Sequence, residues 1–273
     1  MNMKSLFALA VVTAAGAASA SVTTGNTLCR IEVASTATNT IVAVPFAKVS
    51  DTSAQIPVTE LVMTDNLSAG DTILHWNGST WDGWIITVDS ETKAKSWTAT
   101  VISENLSYSQ SEPAAGTALA RGDAIWVNRS STEAPFYIYG QVSSAEATST
   151  AVAPSSSDAP PVATMMSAPT TDATGFQLNT LVGKKTSGNF ADGDMIVVAN
   201  PSDTVFGRKE YVYKSDKGNF CTKTETTSTV TIGGVQYTAV TGTEWTVIGD
   251  DVKVPVGEGF WYVSKGGDPT IKW

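Results

Sequence analysis

The sequence contains a single histidine and two cysteines in 273 residues. With His75 as the only imidazole, a serine or cysteine triad would have to be built around it. No G-x-S-x-G elbow, H-E-x-x-H zinc pattern, P-loop or C-x-x-C pair is present. Basic residues are scarce too: 17 Lys and Arg stand against 26 Asp and Glu, a net charge of −9. A chain without a cationic stripe repels phosphate backbones, which argues against nucleic acid as a partner. Beyond the first 20 residues no apolar run approaches the length of about 20 that a spanning helix needs, so no membrane span is expected. Nor does any later window carry the 3.6-residue period of an amphipathic helix. Charged residues make up only 16% of the chain, and Thr, Ser, Val, Ala and Gly take their place, the composition of an extracellular β-protein.

What is present begins with a leader. Lys4 precedes an apolar run from Leu6 to Ala18, and Ala18-Ser19-Ala20 supplies a small-residue cleavage triplet. This is the layout of a secretory signal peptide over residues 1–20, so the mature protein is expected to be secreted, extracellular or at the cell surface.

One pattern then recurs four times: LSAGDTIL from Leu67, LARGDAIW from Leu119, FADGDMIV from Phe190 and VPVGEGFW from Val254. In each, glycine and an acid are followed by one spacer and two apolar residues. The glycine suits a positive-φ turn position, the acid can accept turn N–H groups, and the apolar pair opens a strand. Gly70 and Asp71, Gly122 and Asp123, Gly193 and Asp194, and Gly257 and Glu258 are therefore read as structural corners. Pro45 lies 25 residues before Gly70 and Pro169 lies 24 before Gly193, so the repeat extends upstream of the corners and implies an internal duplication. The expected architecture is all-β: two tandem antiparallel β-sandwich or partly closed barrel domains, residues 21–142 with an extra leading strand and residues 161–273. A Ser/Ala/Pro-rich linker, residues 143–160, joins them. The spacing of the paired glycines grows from 52 residues in the first half to 64 in the second. The growth fits an added hairpin, TSTVTI-Gly233-Gly234-VQYTAV, closed by a two-residue primed turn.

The two cysteines, Cys29 and Cys221, are expected to form one disulfide in an oxidising compartment; within one chain it would close a loop of 192 residues, worth about 5 kcal/mol in the chain-entropy model, and a bridge between two chains is the alternative. Trp76, Trp81 and Trp84, in HWNGSTWDGW, are candidate carbohydrate contacts, because aromatic rings on a flat β surface stack on sugars. The same residues serve equally as core packing and a cross-strand pair. Asp82, Asp89 and Glu91 are the acids nearest those rings and the one local cluster that could serve glycoside hydrolysis. Asp192 with Asp194 and Asp250 with Asp251 lack the D-x-D-x-D-G spacing of a calcium loop, and no metal or cofactor is implied. Arg121-Gly122-Asp123 spells the integrin-binding tripeptide, but its glycine and acid belong to the repeated corner.

The alternation of G-D-x-I strands with Trp-containing strands, closing on GEGFWYVSKGGDPTIKW, resembles an uncharacterised family of exported proteins from Verrucomicrobia-like bacteria. Its members are similar in having a leader, a proline-marked first strand, here VPF at Val44, and a closing G-x-G-F-W-V strand. The resemblance implies a secreted β-protein, carries over no catalytic residue, and does not include Cys29 or Cys221. The leading functional expectation is a structural subunit of an extracellular filament, matrix or surface layer. Residues 21–35 would add to a neighbour by β-augmentation, making the partner a second copy of the chain. A carbohydrate-binding module is the second expectation and a glycoside-active enzyme the third.

Overall fold

The computed structural model of the chain describes residues 10–12, 28–33, 38–49, 55–77, 80–102, 110–114, 117–131, 134–143, 146–169, 174–199 and 208–273. In the first half the strands are β1 (Ala10–Val12), β2 (Leu28–Val33), β3 (Asn39–Ala43), β4 (Gln55–Pro57), β5 (Thr72–Trp76), β6 (Trp81–Val88), β7 (Lys95–Ala99), β8 (Gln110–Ser111), β9 (Ala118–Ala120), β10 (Ala124–Asn128) and β11 (Phe136–Gln141). One helical turn, α1 (Val58–Leu61), follows β4. The second half holds β12 (Thr148–Thr150), β13 (Val162–Met166), β14 (Phe176–Gln177), a 3-10 helix (Leu178–Lys184) and β15 (Lys185–Ser187). It continues with β16 (Met195–Ala199), β17 (Arg208–Lys214), β18 (Asn219–Ile232), β19 (Val235–Val247), β20 (Lys253–Val254), β21 (Phe260–Ser264) and β22 (Thr270–Lys272). The fold is all-β and mostly antiparallel, with no closed barrel among the described residues. Among the described residues no helix is long and apolar enough to cross a membrane.

Both halves use one strand order. The large sheet of the first runs β3-β10-β5-β6-β7, with β8 alongside β6; that of the second runs β13-β21-β16-β17-β18 and then adds β19. Around each large sheet lie smaller pairings: β2-β11 and β4-β9 in the first half, β12-β22-β15 and β14-β20 in the second. The corners explain the match. All four glycines have positive φ, from +80° at Gly257 to +97° at Gly122, the value that the third residue of a type II turn requires. Asp71, Asp123 and Asp194 each accept the amide three residues back, from Ser68, Ala120 and Ala191, at 2.7 to 2.8 Å. Gly70 then donates to Ile86 on β6, and Gly193 donates to Tyr213 at the same place on β17.

Each half closes its own core. In the first, Ile31, Val33, Phe46, Ile56, Leu61, Ile73, Trp84, Trp97, Ile125, Phe136 and Ile138 pack together; in the second, Met166, Phe176, Leu181, Ile196, Phe220, Phe260, Tyr262 and Ile271 do. The alternation of β11 sets its two faces: Phe136 and Ile138 are buried while Tyr137 and Tyr139 are half-buried.

Three sequence expectations are corrected. Residues 143–160 are not wholly a linker: β12 lies inside them, paired with β22, because Ala147, Ser149 and Ala151 alternate inward and are buried. The second half thus has its own leading strand. Nor is the first leading strand spare: β2 pairs with β11 along six residues and buries Ile31 and Val33 in its own core, so it is not available for donation to a neighbour. Finally, Cys29 and Cys221 are free thiols. Each is buried in a different half, Cys29 opposite Gly140 on β11 and Cys221 between Val212 and Val247, so no bridge ties them. The expected leader, residues 1–20, lies outside the described residues except for Ala10–Val12, which pair in parallel with β2.

Candidate functional site

The halves interlock through the second corner of each. Ser167, just past β13, donates its N–H to the Gly122 carbonyl at 2.8 Å and its hydroxyl to that of Asp123. In return Ala43, closing β3, donates to the Gly257 carbonyl at 2.9 Å, and Gly259 donates to Ile41 at 3.0 Å. Val256 joins the first half's core. A Cβ on Gly257 would lie 2.9 Å from Ile31 Cγ2, and one on Gly122 would lie 2.7 Å from Ser149 Oγ, so close approach as well as backbone sign demands glycine there.

The fourth corner departs from the other three. Pro255 stands where an amide would cap the acid, so Glu258 cannot make the bond that Asp71, Asp123 and Asp194 make. Its backbone bridges Val42 across the junction, and burial there pushes its carboxyl up to about 6. A carboxyl raised in the folded state stabilises below its ordinary value of 4.5, and that contribution fades as pH rises through about 6. Glu258→Gln should therefore raise stability at pH 8 by up to roughly 2 kcal/mol and change nothing at pH 4, as read by urea unfolding at both values. Equal gains at both pH values would contradict the assignment.

The tryptophans form the centre of the same junction. Trp76 and Trp81 are directly paired across β5 and β6, with ring centroids 5.3 Å apart. Trp81 also meets Trp126 edge-on at 6.0 Å and Trp261 at 5.8 Å. Leu74, Ala124, Met165 and Ile41 complete this cluster from both halves. Trp84 points to the opposite face, into the first core, as strand alternation requires. The three residues expected to offer a flat sugar platform therefore do not share a surface, and Trp81 and Trp84 are buried. Trp84 does line a cavity of ≈ 220 Å³ with Trp97, Pro57, Pro113, Thr59 and Thr117.

His75, on β5, faces Asp82 on β6 with Nδ1 3.7 Å from Oδ2. Burial pushes its imidazole below the ordinary value against the pull of Asp123 and Asp82. The nearby Ser111 hydroxyl donates to Asp82 at 2.9 Å rather than to His75, so the order of a nucleophile, base and orienting acid is not formed. Asp89 caps the exposed turn between β6 and β7, accepting from Glu91 N, Thr92 N and Thr92 Oγ1, and those bonds hold its carboxyl below the ordinary range. Asp192 binds Lys214 Nζ and Ser215 N, while Asp194 faces inward to other partners. Arg121 is buried and donates to the Pro45 carbonyl, which removes the integrin tripeptide from the surface.

The feature without a structural explanation inside the molecule is the β18-β19 ribbon. Gly233 and Gly234 have φ of +59° and +82°, the pair of positive values that a type I′ turn demands. Pairing with β17 stops at Val212 and Cys221, yet β18 and β19 continue together to Ile232 and Val235. Every residue from Lys223 to Thr238 is exposed. The free part runs about 35 Å at the usual rise per residue. Val230 pairs with Tyr237 and Ile232 with Val235, so all four share one face, exposed by 41, 52, 64 and 54%. The other face carries Thr229 with Thr238 and Thr231 with Gln236. An isolated two-stranded ribbon is marginal in water, and a row of exposed Val, Ile and Tyr is the usual mark of a contact surface. No known family, curated protein or solved structure matches the chain. The ribbon was legible in sequence as a hairpin; its exposure was not, because alternating apolar residues look alike on a buried strand and on a docking face.

Proposed function

We propose that this is a secreted structural protein, a subunit of an extracellular filament, matrix or surface layer that assembles by β-strand pairing. The observation that carries the reading is the projecting ribbon, whose two edges pair with no other strand among the described residues beyond Cys221, and whose apolar face carries Val230, Ile232, Val235 and Tyr237. The donated element is thus β18-β19, in place of residues 21–35. The matched strand orders support an internal duplication in which only the second copy acquired this arm, and the leader supports export. The test is to replace residues 223–245 by Asn-Gly and to follow the purified mature chain by light scattering and electron microscopy. The parent should form fibres or sheets at moderate concentration, and the truncated variant should remain monomeric with an unchanged melt. Assembly by the truncated variant would falsify the reading. Glycan contact is the second reading; it now rests on the cavity beside Trp84 and Trp97, and retention on glucan or chitin beads would favour it.

A further inference from the structure

We propose that the ribbon of one copy docks on the β7 edge of the next, an inference that rests on the assembly reading above. The two large sheets have the same order up to their fifth strand, β7 in one and β18 in the other. In the second half that strand is covered by β19. In the first, β7 pairs only with β6 among the described residues, so no described strand takes the place corresponding to β19.

Backbone direction makes this edge receptive. Thr100 donates its N–H to Gly83 on β6 at 2.9 Å. Because amides alternate along a strand, those of Thr98 and Ser96 also turn toward β6, and those of Lys95, Trp97 and Ala99 turn outward. Ser96 and Thr98 are exposed on the outer face while Trp97 is buried in the core. A strand added here would extend a sheet already backed by a packed core, whereas the ribbon's own two strands have no such backing. Donor and acceptor lie on different halves, so the contact is heterologous. A heterologous contact that does not close propagates into an open fibre.

The edge and its occupant are tested together. Lys95→Pro removes one outward amide and places a ring at the edge, and its melt verifies folding. In parallel, Thr98→Cys is combined in turn with Thr227→Cys, Thr229→Cys or Thr231→Cys in the full mature chain, and each double variant is oxidised with copper-phenanthroline. The expected result is an at least tenfold loss of assembled material for Lys95→Pro, and a ladder of covalent multimers on a non-reducing gel for one or more double variants but for no single variant. If ribbon truncation abolishes assembly while Lys95→Pro assembles normally and no pair gives a ladder, the ribbon docks elsewhere: the proposal fails and the assembly reading stands. If truncation leaves assembly intact, both fail.

Discussion

Asp194→Ala should lower the melting temperature by about 10 to 20 °C, corresponding to a loss of roughly 3 to 5 kcal/mol. The carboxylate is fully buried and every partner is a donor: Ala191 N and the Tyr262 hydroxyl on Oδ2, Lys265 N and Gly267 N on Oδ1. It ties the first corner of the second half to the turn after β21. Removing it leaves buried donors without acceptors, which costs more than the bonds contributed. Asn should not rescue, because its amide NH2 would face donors that only an acceptor can satisfy. Asp71→Ala should follow at a smaller scale, since Asp71 serves the same turn in the first half through Ser68 N, Ser130 N and Ser130 Oγ but receives no buried tyrosine. A calorimetric scan of the three variants decides the point; an Asp194→Ala melt superposable on the parent would overturn it.

Trp81→Ala should cost about 3 to 5 kcal/mol, the range for deleting a buried large aromatic. Its distinguishing mark is where the loss falls. Trp81 meets Trp76, Trp126 and Trp261, and the last belongs to the other half, so the junction should loosen before either core melts. Hydrogen exchange should show Ala43 and Ser167, which donate across the junction, losing protection ahead of Ile73 or Ile196 in the cores. Uniform loss across the chain would instead mean that the halves unfold as one unit and that the tryptophan cluster is not a separate seam.

The corners were readable in advance because glycine-acid spacing maps directly onto a turn with positive φ and a capping carboxylate. So was the Gly233-Gly234 hairpin. The linker was misread because Ala, Ser and Thr look like a disordered composition. Yet Ala147, Ser149 and Ala151 recur at every second position, and small residues are what fits beside Trp273, whose indole donates to Ser149 at 2.7 Å. The tryptophan junction also left a trace: Trp126 and Trp261 stand in the same slot, four residues after Gly122 and Gly257. One side chain repeated in equivalent places suits a symmetric seam, but nothing local says that the two slots face each other. β2 could not be assigned to donation or to its own sheet from sequence, since Ile31 and Val33 alternate identically in either case. Pro255 was in plain view, and its missing amide was the one signal that set Glu258 apart.

Because Val256 and Gly257 seat against Ile31, Val33 and Ile138, the earliest-made strands of the first half wait for some of the latest-made residues. Contacts so distant along the chain slow folding. A polypeptide made from its amino end would stay pliable through synthesis and lock only once that late segment arrived, as a clasp fastens after a belt has passed through its loops.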